Sequence, residues 1–374
     1  MPKSVPPTPA SLGYRRPAEW EQHAATWISW PHQWEDWPGK FAPTPWVYTE
    51  IVRLLSQHER VKILVADRRV RKQARVALAS AGVDPEGDNL KFIMLPTDRS
   101  WLRDSMPCFV VREMENPLGD EHPVATVSWR FNGWAKYPNH LRDARIPRKV
   151  SKRLSMRRFK PEYSHLKKVN SRVVLEGGAI DTNGRGTLLT TEECLLSPDV
   201  QVRNPGLDRA GYEQLFADYL GIKHTIWLNR GIVGDDTHGH VDDIARFVNP
   251  TTVVAAIEEN DADPNHAPLQ ENLEILKRSV DQDGNPLRVV TLPMPAPVMF
   301  DGYRLPASYA NFYIANGIVL VPTFNDKNDR IALNTLAELF PDREVVGVHC
   351  VDLVLGLGTL HCLSHEQPAA PGRV

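Results

Sequence analysis

An amphipathic helix followed by a short β-branched strand recurs along the chain. In "PWVYTEIVRLLSQHERVKILVAD", Val47, Ile51, Leu54 and Leu55 share one helical face, and the chain then enters the apolar run Val61–Val65. "RRVRKQARVALASAGVDPEGDNLKFIML" repeats the pattern, with Gly82 placed to end the helix. A third unit, "LDRAGYEQLFADYLGIKHTIWL", sets Leu215, Tyr219 and Leu220 ahead of Gly221. In a fourth, "LQENLEILKRSVDQDGNPLRVVTL", Leu269, Leu273, Leu276 and Val280 stand at helical spacing, and "DRIALNTLAELFPDREVVGVHC" is the fifth. Pairs of apolar runs lie between these units, turning at Asn183-Gly184, Asn249-Pro250 and Asn316-Gly317, which reads as hairpins. "CFVVREMENPLGDEHPVATVSWRF" reads as a longer hairpin. The order predicts an α/β fold of helix-strand-hairpin modules in one domain spanning residues 1–374. No linker divides it, and residues 1–15 are expected to be a flexible N-terminal segment.

Composition narrows the class. With 42% hydrophobic and 24% charged residues and a formal net charge of −2, the 374-residue chain has ample material for a core. It makes no global case for nucleic-acid or membrane partners. No apolar run approaches the roughly 18 residues of a membrane span, and "MPKSVPPTPASLGYRR" lacks the apolar stretch of a secretory signal, so a cytoplasmic location is expected. The four cysteines, Cys108, Cys194, Cys350 and Cys362, are far apart and contain no CxxC pair, which argues against a disulfide framework or a zinc knuckle. From Arg142 to Lys168 the chain holds eleven Lys/Arg against two acids. With only Phe159 and Tyr163 among its basic residues, too few aromatics to stack on bases, that run reads as a solvated helix face or mobile loop.

Three stretches carry candidate chemistry. "LGLGTLHCLSHEQP" contains Cys362, open to reading as a buried thiol, a metal ligand, half of a disulfide or a nucleophile. "GDDTHGHVDD" spaces His238, His240 and Asp242 as a hydrolytic metal site does, although Asp243 stands where the commonest such pattern has another His. "PTDRSWLRDSMP" concentrates Asp98, Trp101, Arg103 and Asp104 between strand-like runs. In "VVLEGGAID", Glu176 precedes two glycines that would let backbone approach something closely. One thiol, histidines and several carboxylates suit nucleophilic attack on a cationic electrophile. A nearby positive charge favours the thiolate, carboxylates grip a planar cation bidentately, and a histidine moves protons.

Those stretches, with "PAEWEQHAATWISWPHQWEDWPGKF", "FNGWAKYP" and "LPASYANFYIANGIVLVPTF", resemble the agmatine deiminases in order and nearly from end to end. More broadly, they resemble the guanidino-group-modifying superfamily that includes the bacterial peptidylarginine deiminases. The resemblance implies a pentein α/β-propeller, five ββαβ-type modules with pseudo-fivefold symmetry. It implies a cofactor-free, metal-free reaction on a small cationic guanidine, turning agmatine and water into N-carbamoylputrescine and ammonia in putrescine biosynthesis. On the same basis Cys362 is the nucleophile, His240 the general acid/base, Glu176 the acid that orients it, and Asp104 and Asp242 the guanidinium carboxylates. Asp236 and Trp101 are further substrate contacts. The chain departs from the family pattern at Met106, His238, His365 and Glu366, all close to the inferred site. If the Cys362 region is a strand, alternation puts His361 on the opposite face from Cys362 and away from the same substrate atom. Deimination of free or peptidyl arginine is the alternative, with Arg103 or Arg246 as partner for its carboxylate. A metallohydrolase using His238, His240 and Asp242, and a binding protein without catalysis, are the others. Self-association into a homo-oligomer stays open.

Overall fold

Each predicted helix leads into a strand, but the modules are partitioned differently from the sequence reading. The computed structural model describes residues 6–113, 122–163 and 172–372. β1 (His23–Ser29), α1 (Thr44–Leu55) and β2 (Val61–Val65) form a parallel crossover, and α2 (Arg68–Ser80) adds parallel β3 (Leu90–Met94). The short helix α3 (Leu102–Ser105) leads into antiparallel β4 (Cys108–Val111) and β5 (Val124–Val127); α4 (Ile146–Arg153) then returns the chain to β6 (Arg158–Phe159), parallel to β5. β7 (Asp181–Thr182) and β8 (Thr187–Thr191) are antiparallel, and α5 (Glu192–Leu196) and α6 (Arg209–Leu220) precede β9 (His224–Leu228), parallel to β8. The order repeats in β10 (Ala245–Asn249), β11 (Thr252–Ile257), α7 (His266–Arg278) and β12 (Arg288–Pro293). After the small hairpin β13 (Met299–Phe300) and β14 (Tyr303–Arg304), it repeats again in β15 (Tyr313–Ala315), β16 (Ile318–Thr323), α8 (Asn328–Leu339) and β17 (Glu344–His349). Finally α9 (Leu360–Leu363) delivers β18 (Ser364–Pro368), which pairs antiparallel with β1, Ile28 opposite Ser364 and His23 opposite Pro368. Five mixed sheets thus share one order: a first strand, an antiparallel second, and a parallel third reached through a helix.

Local chemistry sets the boundaries. Asp67 and Asp208 cap α2 and α6 by accepting from Val70 N and Gly211 N, so each satisfies an otherwise orphaned helix donor. Gly221 ends α6 at φ 71°, a conformation that costs glycine little. α1 buries Tyr48, Ile51, Val52, Leu54 and Leu55, each apolar side chain contributing about 1.5–3 kcal/mol by leaving water. On α6 the buried face is Tyr212, Leu215, Phe216 and Leu220, with Tyr219 half-buried beside it.

Three expectations need correction. The first two helix–strand units belong to one sheet, and the helix that completes the β4–β5–β6 sheet is α4, from the basic run. α4 buries Ile146, Pro147, Val150 and Ser151 and turns Arg148, Lys149, Lys152 and Arg153 outward, a solvated helix face; residues 164–168 of the run lie outside the described residues. Val280 is not on the α7 face. The helix ends at Arg278, and Asp281 accepts from Asp283 N and Asn285 N, so an Asx turn takes over from the helix there. Of the N-terminal segment, residues 1–5 lie outside the described residues, while Tyr14 is buried against the β5–β6 region and Arg15 exchanges backbone hydrogen bonds with Val111. The turn of the long hairpin, residues 114–121, also lies outside them. Among the described residues no helix is long and apolar enough to cross a membrane.

Candidate active site

The segment just before the first strand of each of the five sheets brings polar side chains to one place. Asp104 lies on α3 before β4, Glu176 and Gly178 before β7, His240 and Asp242 before β10, Asn311 before β15, and Cys362 on α9 before β18. All of these side chains are at least nine-tenths buried. Two close packings make this possible. A Cβ on Gly177 would stand 2.2 Å from the Arg103 carbonyl, and one on Gly178 would stand 2.5 Å from His240 Nδ1 and 3.0 Å from both Asp104 and Asp242 carboxylates. The two glycines of "LEGG" therefore let the backbone pass beneath the site.

Asp104 accepts from Trp134 Nε1 at 2.8 Å and from Gly178 N at 2.9 Å. His240 places Nδ1 at 3.9 Å from Asp104 and 4.0 Å from Asp242, and Nε2 at 4.0 Å from Glu176 Oε2. Glu176 is held from behind by Arg203 Nε at 3.1 Å, a fully buried pair. Asn311 was missed from sequence; it organises the thiol, with Nδ2 donating to Cys362 Sγ at 3.2 Å and to Asp243 at 2.9 Å. Its Oδ1 accepts from Thr359, His361 N and Cys362 N. Its position before β15 matches that of the other site residues before their strands, the one signal that singles it out. Cys362 Sγ lies 3.9 Å from Asp242 Oδ2. Among the described residues, Glu176 Oε2, Asp242 Oδ1 and both His240 ring nitrogens are buried with no hydrogen-bond partner of normal length.

Charge follows from this crowding. Burial, then the carboxylates of Asp242, Asp243 and Asp104, push the Cys362 thiol well up, with Asn311 opposing. Burial pushes Asp104 up, against the pull of His240. Although burial disfavours a charged ring, Asp104, Cys194 and Asp242 hold His240 well above its ordinary value. Burial also opposes ionisation of Asp242, yet the hydrogen bond from His361 and its charge bring that carboxyl below its usual range. A cation introduced beside Asp104 and Asp242 would offset the carboxylate charge that adds to burial in opposing a Cys362 thiolate.

A cavity of 540 Å³ opens onto Cys362 and Asp104. Trp101, Trp134, Gly356 and Leu357 wall it, and Glu35, Asp36, Arg99 and Asp236 are also in its lining. Asp236 is paired with Lys136 and accepts from Tyr137 Oη at 2.7 Å; Asp36 is paired with Arg99, whose guanidinium lies 4.2 Å from the Tyr137 ring centre. Burial raises Asp36 to about 6, against Arg99.

His361 does not face away from Cys362. α9 is helical rather than extended, so adjacent residues are turned by about 100°, and His361 joins the network between Asp242 and Glu19. The departures from the family pattern lie outside the cavity lining. Met106 packs with Trp27, Leu64 and Phe109; His365 is buried against Phe109 and pushed down to about 3 by burial; Glu366 holds Arg16 and Arg103. His238, at φ 66°, turns its ring to within 3.8 Å of Glu193. Arg103 is engaged by Glu366 and Glu19, and Arg246 by Asp181 and Glu19, so neither points into the cavity. Two donor triads stand close enough to share a cation, Glu176–Cys194–His240 and Asp242–Asp243–Cys362, and His238 is in neither. Arg203 already neutralises the first.

The family model of the Porphyromonas-type peptidyl-arginine deiminases matches residues 15–368; the chain belongs to that family. It is 34% identical over 389 residues to the agmatine deiminase of Medicago truncatula, covering 97% of this chain and 98% of the relative. Among solved structures, the agmatine deiminase of Enterococcus faecalis superposes with a TM-score of 0.84 at 29% identity over 97% of this chain and 98% of that one. A cysteine-to-serine variant of C. jejuni agmatine deiminase with substrate bound gives 0.79 at 26%, over 96% and 97%.

Proposed function

We propose that this protein is an agmatine deiminase, a hydrolase that converts agmatine and water into N-carbamoylputrescine and ammonia. The observation that carries the reading is one cavity lined by Cys362 and Asp104 and also by the acids Asp36, Glu35 and Asp236. Agmatine is a dication, and such a lining meets both of its charges. Free arginine would bring a carboxylate toward those acids; Arg99, the cation of the lining, is paired with Asp36, and Arg103 and Arg246 are engaged elsewhere. The relatives named as agmatine deiminases support the same choice.

In the proposed mechanism, the guanidinium arrives protonated and lies against Asp104 and the unpartnered Oδ1 of Asp242, its plane fixed and its carbon turned to Cys362 Sγ. Trp101 stacks on the wall, and Asp236 and Asp36 receive the distal amine. As the cation takes over neutralisation of the carboxylates, the thiol releases its proton to solvent and the thiolate adds to the guanidinium carbon, the C=N pair moving onto nitrogen. His240, charged and backed by Glu176, donates a proton to the departing nitrogen, so ammonia leaves and an amidino-thioether remains. The neutral imidazole then takes a proton from water and the hydroxide adds to the same carbon; the C–S bond breaks with its electron pair on sulfur, the extra proton of the ureido group passes to that thiolate, and the product is released with the Cys362 thiol restored.

Around this chemistry we place the broader reading: one catalytic domain whose five like-ordered sheets form the blades of a pentein propeller, with the site where their leading segments meet. The supporting feature is that each sheet contributes the segment before its first strand. The four cysteines, unpaired and buried, suit a reducing cytoplasm, and the product suits putrescine supply. The test is ammonia release from agmatine and arginine side by side, with Cys362→Ser as control. Equal rates, no rate on agmatine, or undiminished turnover by the folded variant would overturn the proposal.

A further inference from the structure

His361 precedes Cys362 on α9, and no step above uses it. Its ring is 2% exposed and lies between two carboxylates, Nδ1 at 2.6 Å from Asp242 Oδ2 and Nε2 at 2.8 Å from Glu19 Oε2. An ionised carboxylate only accepts, so each ring nitrogen donates and the ring stands there as an imidazolium. Asp242 Oδ2 is thereby occupied, while Oδ1 remains buried without a hydrogen-bond partner among the described residues.

Glu19 is itself immobilised. Its Oε1 accepts from Ile314 N at 2.8 Å and lies 3.0 Å from Arg246, and its Oε2 lies 3.1 Å from Arg103. The chain of contacts therefore runs from two locked arginines through Glu19 and His361 to a single oxygen of Asp242. We infer that His361 is a positioning residue: anchored on Glu19, it clamps Asp242 Oδ2 and so presents Oδ1 to the substrate guanidinium. This deepens the deiminase reading and rests on it. The clamp also supplies charge. Asp242 stands among Asp104, Asp243 and Cys362, and the hydrogen-bonded imidazolium is the nearest cation that stays in place as the thiol ionises. Loss of the ring would leave a buried carboxylate free to turn toward other donors.

Two near-isosteric variants separate the halves of the clamp. His361→Asn keeps an amide N–H where Nδ1 meets Asp242 and gives up the reach to Glu19; His361→Gln does the reverse. The measurement is KM for agmatine by ammonia release, with iodoacetamide labelling of Cys362 counting intact sites. The Gln variant is expected to raise KM about 10- to 100-fold, the range for losing a hydrogen bond to a charged group, with the Asn variant staying within about fivefold. A merely structural ring would lower the count of intact sites and leave KM alone in both. Equal KM values in the two variants, or a higher KM for Asn, overturn the proposal. If the unaltered protein releases no ammonia from agmatine, it is the substrate reading that fails. The same comparison is then made on calorimetric binding of guanidinium ion, with the same order supporting the clamp and any other order overturning it.

Discussion

Trp134→Phe tests the guanidinium site most directly. Gly133, Trp134 and Ala135 have φ 67°, 57° and 54°, and for the two non-glycine residues that left-handed backbone costs roughly 1–2 kcal/mol each. The strained turn carries the indole to Asp104, where Nε1–H is one of two close N–H donors, with Gly178 N, to a carboxylate already pushed up by burial. Phenylalanine keeps a ring for the edge-to-face contact with Phe131, whose centroid lies 5.0 Å away, and removes the donor. Losing a hydrogen bond to a charged group costs about 1.5–3 kcal/mol, or roughly 10- to 100-fold in any quantity that needs ionised Asp104. The donor favours the charged form, so its loss raises Asp104 further. The acid limb of kcat/KM for agmatine should move to higher pH and its plateau should fall. The stability sign is the opposite of a salt-bridged carboxylate. A raised carboxyl binds its proton more tightly when folded, so its contribution is full below the unfolded pKa and lost as pH rises through the folded one. The variant should therefore lose more stability than the parent at the alkaline end. Steady-state kinetics across the neutral range with thermal melts at each pH decide the matter. A folded variant with unchanged KM and an unmoved acid limb would refute the role given to this hydrogen bond.

Gly178→Ala should abolish agmatine turnover while the protein still folds, because the new methyl would meet His240, Asp104 and Asp242 at 2.5–3.0 Å; circular dichroism beside the ammonia assay checks both halves. Asp36, raised to about 6 by burial against Arg99, should give agmatine KM a rise as pH falls through that value. Its stability contribution runs the other way, full below the ordinary carboxyl pKa and lost as pH rises through about 6, and Asp36→Asn should erase both slopes. Lys136→Met frees Asp236 at the cavity lining and should lower agmatine KM about 1.5- to 5-fold, the worth of an exposed ion pair, with kcat unchanged. Thiol labelling of Cys362 by iodoacetamide should quicken when a cationic guanidine is present, since that charge offsets Asp242, Asp243 and Asp104; no acceleration would count against thiolate formation assisted by the substrate.

Much of the architecture was legible because period and punctuation agree: the apolar faces of α1 and α2, the glycines after α2 and α6, and the hairpin turns at Asn183, Asn249 and Asn316 carry their own signals. α4 was hidden because its buried stripe of Ile146, Pro147 and Val150 is swamped by lysines and arginines. The pairing of β1 with β18 had no local signature at all, since it depends on where residues far apart in sequence meet. The residues named for the site came from motifs and family resemblance, and the sequence could not show their distances. His361 was misjudged because a strand was assumed where one helical turn stands, and Asn311 was missed because its role depends on contacts with Cys362 and Asp243 far along the chain.

The strand that follows Cys362 is held by β1, and Trp27 Nε1 donates to Gln367 Oε1 at 3.0 Å across 340 residues of chain. A ribosome delivers Asp104, Glu176, His240 and Asp242 before the sulfur. On the proposed mechanism, a chain still being made carries the carboxylates for the cation but not its nucleophile, and guanidine chemistry would begin only when the late strand docks on the early one. On that mechanism, release of ammonia would double as a report that synthesis has passed Cys362 and that the two distant parts of the chain have found each other.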